Sequence, residues 1–405
     1  MLKMVDGTGI IGVDMVCPLG ISTPQPPNYD KVEMEGVGSL MLPNSLKAPL
    51  ERVELLGNST QGENPAPDNP QEIKSAGRFD EASGKYLLDV KVTGKNLLDM
   101  ADIQNENGKI DSDFSKAKSI KPFKVIKDRK YLLISKGAMI VDVRYSSIYF
   151  GEDDLAYGQD SSRKLTTGTG YSCFIGTETR KILVAKETCT ITKTMMHGTR
   201  TEKDAYEVEE LGLFEIINDN PNIDYQPYTE QSMQIVLNEP LRGVGEYKDT
   251  ITKDGVIRKI KRVVFDGSED EKWGIAIERE NVINFVSTQF SDAIKINEHQ
   301  RTMMDKLKWS SGVWGRDEVG QDMFARILRM NMPKTLTPDL QTFKTWLSQN
   351  PLTVDYVLAE PATEPLPESV QQQLQALHSE NGTTHVFVDS GEVPCGIKLT
   401  YRKEK

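Results

Sequence analysis

The amino-acid sequence predicts a mainly β, multidomain protein with a central β-sandwich followed by a mixed α+β C-terminal region. Three observations carry this. The chain has 405 residues, which suggests about three domains at roughly 100–200 residues each. Seven short β-rich runs recur from Tyr86 onward between turn residues, the pattern of a sandwich. The last third alternates helical and strand periodicity.

Residues 1–75 hold short apolar runs broken by glycine and proline, ending in an extended connector, GENPAPDNP, at Gly62–Pro70. The sandwich is expected over 76–232, on runs at Tyr86–Val92, Tyr131–Ile134, Met139–Val143, Ser147–Phe150, Tyr171–Ile175, Ile182–Val184 and Phe214–Ile217. Asn107-Gly108 and Asp254-Gly255 are hairpin signals, because these residues accept the positive φ of a tight turn. The C-terminal region, 233–405, is expected to carry strands around the Asp254 turn and two helices. In the first helix Thr337 caps, Pro338 takes the first position, and Leu340, Phe343, Trp346 and Leu347 share one face before Asn350-Pro351. A strand follows, in which Leu352, Val354, Tyr356 and Leu358 alternate with Thr353 and Asp355. The second helix has Val370, Leu374 and Leu377 at i, i+4 and i+7 behind Pro367-Glu368. Residues 278–335 stay unassigned, since Met323–Met330 fits a helix or a strand.

The formal net charge of -11 and pI near 5.1 oppose nucleic-acid binding, which needs a basic face to displace counterions from phosphate. The basic run Arg258–Arg262, RKIKR, interleaves with Ile257, Ile260 and Val263 and reads as a charged, exposed strand edge. Cys17, Cys173, Cys189 and Cys395 lie far apart without a CxxC pair, so no zinc knuckle is encoded, and a Cys173–Cys189 bridge is left open. Gly9–Ile21 is too short to span a bilayer and is interrupted by Asp14, so neither membrane insertion nor a secretion signal is expected.

Catalytic motifs are weak. Gly7-Thr8-Gly9-Ile10-Ile11-Gly12 matches GxGxxG, but six residues cramp the strand before it and Pro18 cuts off the helix after it. His197, His299, His378 and His385 fall in separate segments, giving no metal-ligand spacing. Asp102–Phe114 lacks the first acid and closing glutamate of a calcium loop. No catalytic residue, metal or cofactor is therefore expected. The acidic clusters Glu152-Asp153-Asp154 and Glu269-Asp270-Glu271 are the remaining candidates for paired carboxylates. Solvated charge runs explain both.

Several segments in order resemble bacteriophage and prophage tail proteins of low-GC Gram-positive hosts, the minor structural and receptor-binding proteins of tail tip and baseplate. They are PLERVELLGNSTQ at Pro49–Gln61 with the connector GENPAPDNPQEI, GKNLL at Gly94–Leu98, NIDYQPYT at Asn222–Thr229, the block Pro240–Glu269, and TPDLQTFKTWLSQNPLTVDYVLAEP at Thr337–Pro361. Family members more often carry Glu where this chain has Gln226. The resemblance implies a jelly-roll-like, carbohydrate-module-like sandwich opened by GKNLL and closed by NIDYQPYT, with an N-terminal attachment region at 1–75. It also implies a virion protein assembled in the host cytoplasm, other tail or baseplate proteins as partners, a host-surface saccharide as target, and a homo-oligomer, commonly a trimer.

Saccharide recognition needs a flat aromatic ring for the apolar sugar face and a few polar groups for its hydroxyls. Tyr149 and Tyr157 flank Glu152, Asp153 and Asp154, and this set with Trp273 forms the candidate site, Trp309 and Trp314 being alternatives. Tyr225 and Tyr228 read as a closing clasp of the sandwich. Two rival functions remain: an architectural spacer that binds no glycan, and a cell-wall or capsule hydrolase using the acidic clusters.

Overall fold

The computed structural model describes residues 29–44, 46–104, 113–138, 146–156, 158–167, 173–175, 178–198, 207–217, 219–295, 300–311 and 313–404. Asn107-Gly108, Tyr157, His299 and the GxGxxG match lie outside them. The chain is mainly β and multidomain, with separate buried cores.

A seven-stranded sheet runs in the order Tyr29–Val37, Gly396–Glu404, Leu50–Leu56, Thr250–Thr252, Gly255–Phe265, Leu352–Glu364, Thr302–Met304. Strands from the first sixty residues thus share one sheet with strands from the last third. A second sheet, called here the base sheet, orders Glu230–Leu237, Lys85–Thr93, Gly382–Asp389 and Ser39–Asn44, with Arg78–Asp80 added beside Lys85–Thr93. Alternation along Lys85–Thr93 sends Leu88, Val90 and Val92 into the core, where they meet Ile397, Leu399 and Tyr401 of the large sheet. The helix Glu368–Ala376 adds Leu374, as its periodicity predicts, and Leu377 just beyond it. The opposite face of the base sheet carries Asp89, Lys91, Phe387 and Asp389.

Residues 113–215 form a sandwich of two four-stranded sheets. Cys173–Ile175, Ser146–Gly151, Cys189–Gly198 and Asp113–Val125 make one, and Leu165–Thr166, Glu178–Ala185, Lys130–Ala138 and Glu207–Glu215 the other. Phe123, Tyr131, Phe150, Ile191 and Leu213 fill the space between them. Asn96, fully buried, joins the GKNLL and NIDYQPYT segments: its Nδ2 donates to Gln226 O (3.1 Å), and its Oδ1 accepts from Leu98 N (3.1 Å) and Leu213 N (3.0 Å). A buried amide satisfied on both ends fixes where strands begin and end. Cys189 is a free thiol, pushed up to about 11 by burial, and Cys395 is also free.

The remaining core lies under a four-stranded sheet, Trp273–Glu278, Val282–Ser287, Ile327–Pro333 and Gly320–Phe324. The helix Leu340–Gln349 closes it, Phe343 stacking on Phe285 with centroids 4.0 Å apart. Its cap is Asp339, whose Oδ1 accepts from Thr342 N at 2.7 Å, and not Thr337, which is buried and bonds back to Pro333 O. Met323 and Met330 fall on two strands of a hairpin turned by Ala325 (φ 49°) and Arg326 (φ 70°).

One expectation is reversed. RKIKR is not an edge: Gly255–Phe265 lies inside the large sheet between Thr250–Thr252 and Leu352–Glu364. Its arginines are neutralised internally. Arg258 reaches Asp249 (3.3 Å), and Arg262 forks onto Asp355 (2.7 and 2.8 Å), both carboxylates fully buried.

Candidate functional site

The structure separates the expected site residues. Tyr149 is 6% exposed on the strand Ser146–Gly151, packed with Leu155 and Met195 under the Arg163 guanidinium, 3.9 Å from the ring centroid. Trp273 is equally buried, its Nε1 donating to Glu271 Oε2 at 2.5 Å and its ring lying 5.1 Å from both Phe265 and Phe343. Neither presents a face to a sugar. Both are corrections with one cause: sequence supplies the ring but not the side of the sheet it takes, and at these positions core packing captures it.

The acidic clusters also part company. Glu271 is buried and closes its own loop, accepting from Asp266 N (2.6 Å) and Gly267 N (3.0 Å), while Glu269 pairs with Lys344 at 2.9 Å. That cluster is structural. Glu152 and Asp153 lie on the loop after the strand Ser146–Gly151 and reach solvent. Lys164 Nζ sits 3.0 Å from Glu152 and 2.7 Å from Glu187, and the Glu187 hydrogen bond, then Glu152, holds its ammonium above the ordinary lysine range. Asp153 accepts from Thr192 Oγ1 at 3.1 Å and keeps 85% of its side chain exposed. Asp154 is exposed beside it.

Glu152 and Asp153 form the sandwich wall of an open groove of about 1150 Å³. Its other walls come from segments far away in sequence: Glu72–Ser75, the strand Arg78–Asp80, Tyr86 and the turn Gly391–Val393. Two features organise it. Arg262 Nη2, beyond its bonds to Asp355, donates to Ile73 O at 3.2 Å and ties Glu72–Ser75 to the large sheet. Lys74 pairs with Glu392 across the mouth. On the base sheet Phe79 and Tyr86 are directly cross-strand, their rings 5.2 Å apart and tilted by 54°, with Phe79 54% exposed.

Exposed aromatic surface flanked by carboxylates, ammonium and guanidinium groups is amphipathic in the manner of a pyranose, which has an apolar face and a polar rim. Sequence reasoning selected Glu152 and Asp153 but missed Phe79, Tyr86 and Arg78. The available signal was an aromatic at each end of FDEASGKY, a strand–turn–strand segment whose tip is polar. Trp314, 46% exposed, lies elsewhere, 5.6 Å from the Arg329 guanidinium.

Among the described residues no group of three or more His, Cys, Asp or Glu is placed to hold a metal ion, and no helix is long and apolar enough to cross a membrane. Comparison with known proteins gives no match to a family model, a curated sequence or a solved structure.

Proposed function

We propose that this chain is a tail-tip or baseplate protein of a bacteriophage virion that contacts the host surface by binding a saccharide, without cleaving it, in the groove walled by Phe79, Tyr86, Glu152 and Asp153. The observation that carries the saccharide reading is the Phe79–Tyr86 ring pair, Phe79 exposed and Tyr86 half-buried, lining one concavity with acidic and basic side chains. The virion assignment rests on the sequence resemblance. A shallow site of this kind binds weakly, and the homotrimer that the resemblance implies would raise avidity by ~10² to 10⁴ without new contacts. Partners would be other tail or baseplate proteins.

The test is a glycan array, or binding to Gram-positive cell walls, with the purified chain and with Phe79→Ala. Losing one stacked ring costs about 0.5–1.5 kcal/mol, or roughly 2- to 12-fold per site. Phe79 is exposed, so the variant should melt like the parent. Unchanged glycan binding by Phe79→Ala and Tyr86→Ala would remove the groove from the account, and binding to no glycan would leave the architectural spacer. Sugar release abolished by Glu152→Gln would instead support a hydrolase.

A further inference from the structure

Register lays out the outer face of the base sheet as a grid. Across its three strands Ser232, Lys91 and Phe387 stand side by side, and the next row on the same face is Gln234, Asp89 and Asp389. Phe79 and Tyr86 take the other face, in step with Leu88 and Val90. Above the outer face, Lys121 and Pro122 of the sandwich strand Asp113–Val125 form an overhang, to which Lys91 Nζ donates through Pro122 O. Between floor and overhang lies a hollow of about 500 Å³, inside the size range of small-molecule sites.

Its apolar wall is the half-buried Phe387 ring with Pro122 and the stem of Lys91, whose Nζ lies 5.8 Å from the ring centroid. Burial holds that ammonium below its ordinary value, so this wall is shielded from solvent. The polar groups keep spare hydrogen-bonding capacity. An ammonium has three N–H donors; Lys91 spends one on Pro122 O, and no ion pair holds it among the described residues. Gln234 donates from Nε2 to Asp89 Oδ1 at 2.7 Å, while its amide oxygen accepts nothing among the described residues. Asp389 accepts from Gly391 N at Oδ1 (3.0 Å), and the Arg78 Nε stands 4.0 Å from its Oδ2. The carboxylates that line the hollow, Asp89, Asp389 and Glu230, are matched by Lys91, Lys121 and Arg78, which lies 2.5 Å from Asp89 and 3.6 Å across from neither but closes the Asp89–Asp389 pair.

We propose that this hollow is a second, separate binding site, and that its ligand is one neutral sugar unit seated with its apolar face on Phe387 and Pro122. Donors and acceptors alternate around the ring: Lys91 supplies N–H groups, and Asp389 and Gln234 supply oxygens. A hydroxyl both donates and accepts, so adjacent hydroxyls match such a set. An anion meets the Asp89–Asp389 pair, and a cation meets Lys91. The site shares its ligand class with the groove but stands on residues of its own, on the opposite face of the base sheet from Phe79 and Tyr86.

The test labels the full chain with fluorophenylalanine and follows it by fluorine NMR, so that Phe79 reports the groove and Phe387 the hollow. Phe79→Leu and Phe387→Leu assign the two signals. Titration with glucose, galactose or N-acetylglucosamine should move the Phe387 signal saturably. Gln234→Ala, an exposed substitution, should weaken that response roughly 2- to 12-fold, the worth of one hydrogen bond, and leave the Phe79 response unchanged. Glucuronate and glucosamine should bind the hollow no more tightly than glucose. A Phe387 signal that stays still while Phe79 moves overturns the hollow and leaves the groove standing, as does a Phe387 response unaltered by both Gln234→Ala and Asp389→Asn. Tighter binding of either charged sugar overturns the neutral class. Movement of Phe387 alone upholds the hollow and removes the groove.

Discussion

Asp249 offers the sharpest test of how this fold is held. Between Arg258 and Ile260 the pairing of Gly255–Phe265 with Leu352–Glu364 slips by a β-bulge, which leaves backbone N–H groups without a ladder partner. Asp249, fully buried, takes them: its Oδ1 accepts from Lys259 N (2.8 Å) and Ile260 N (3.0 Å), and its Oδ2 from Arg242 N (3.0 Å) and Arg258 Nη1 (3.3 Å). Asp249→Ala strands three amides and removes a carboxylate from a buried guanidinium. An unsatisfied buried donor costs about 1–3 kcal/mol, and breaking a buried ion pair about 3–5 kcal/mol. Arg258 keeps Pro240 O (2.7 Å) and Glu239 O (3.0 Å), so these terms do not simply add, and a loss of about 4 kcal/mol is expected. Asp249→Asn retains one acceptor oxygen and should lose about half as much. A chain with several cores need not unfold in one step, so the readout is hydrogen exchange at the Lys259 and Ile260 amides beside a denaturant titration. If Asp249→Ala costs less than about 1 kcal/mol and leaves those amides protected, the bulge is held by something else and the reasoning fails.

Three further outcomes follow from named contacts. His385 is pushed down to about 4 by burial and then by Arg129, and its Nε2 has no partner among the described residues. Below pH 6.5 the unfolded chain takes up a proton that the folded chain refuses until about pH 4. Stability should therefore fall by on the order of 2–3 kcal/mol as pH drops through that window, and His385→Gln should flatten this part of the pH–stability curve. Ala325 holds φ 49° in an exposed turn, a conformation costing about 1–2 kcal/mol in a residue with a Cβ, so Ala325→Gly should raise the melting temperature despite glycine's extra chain entropy. Phe343, fully buried against Phe285 and Trp273, should cost about 3–5 kcal/mol as Phe343→Ala by denaturant melts, with the loss seen in the exchange of residues 282–287 and 327–333.

What was legible in the sequence follows from the range of the forces involved. Leu340, Phe343, Trp346 and Leu347 mark a helix because 3.6-residue periodicity is local, and Leu352, Val354 and Tyr356 mark a strand for the same reason. The hairpin at Ala325–Arg326 was illegible because its two positive-φ residues carry neither Gly nor Asn, the usual signature of such a turn. Arg258 and Arg262 look like an exposed basic stripe until Asp249 and Asp355, the latter 93 residues from Arg262, are placed beside them. Alternation correctly put Asp355 on the face opposite Val354 and Tyr356, but it could not say that this face is buried too.

The candidate site shows the same limit more strongly, and explains why two of its expected aromatics were core residues. A ring beside acids in sequence, as at Tyr149, shares a strand end with them; parity turns it to the sheet face opposite Ile148 and Phe150, where Leu155, Met195 and the Arg163 guanidinium cover it, while the loop acids turn outward. The rings that line the same groove as Glu152 and Asp153 come from Phe79 and Tyr86, more than sixty residues away on another sheet, and Arg78, Asp89 and Asp389 meet only because Lys85–Thr93 and Gly382–Asp389 pair in register. A cleft between two sheets is built by register, and register is set by which alternate residues the cores bury. The substitution most damaging to the site therefore need not touch it. A polar residue at Val90 or Val388, both buried beneath the Asp89–Asp389 pair, would favour a one-residue slip that carries one carboxylate to the opposite face and leaves Arg78 bridging nothing.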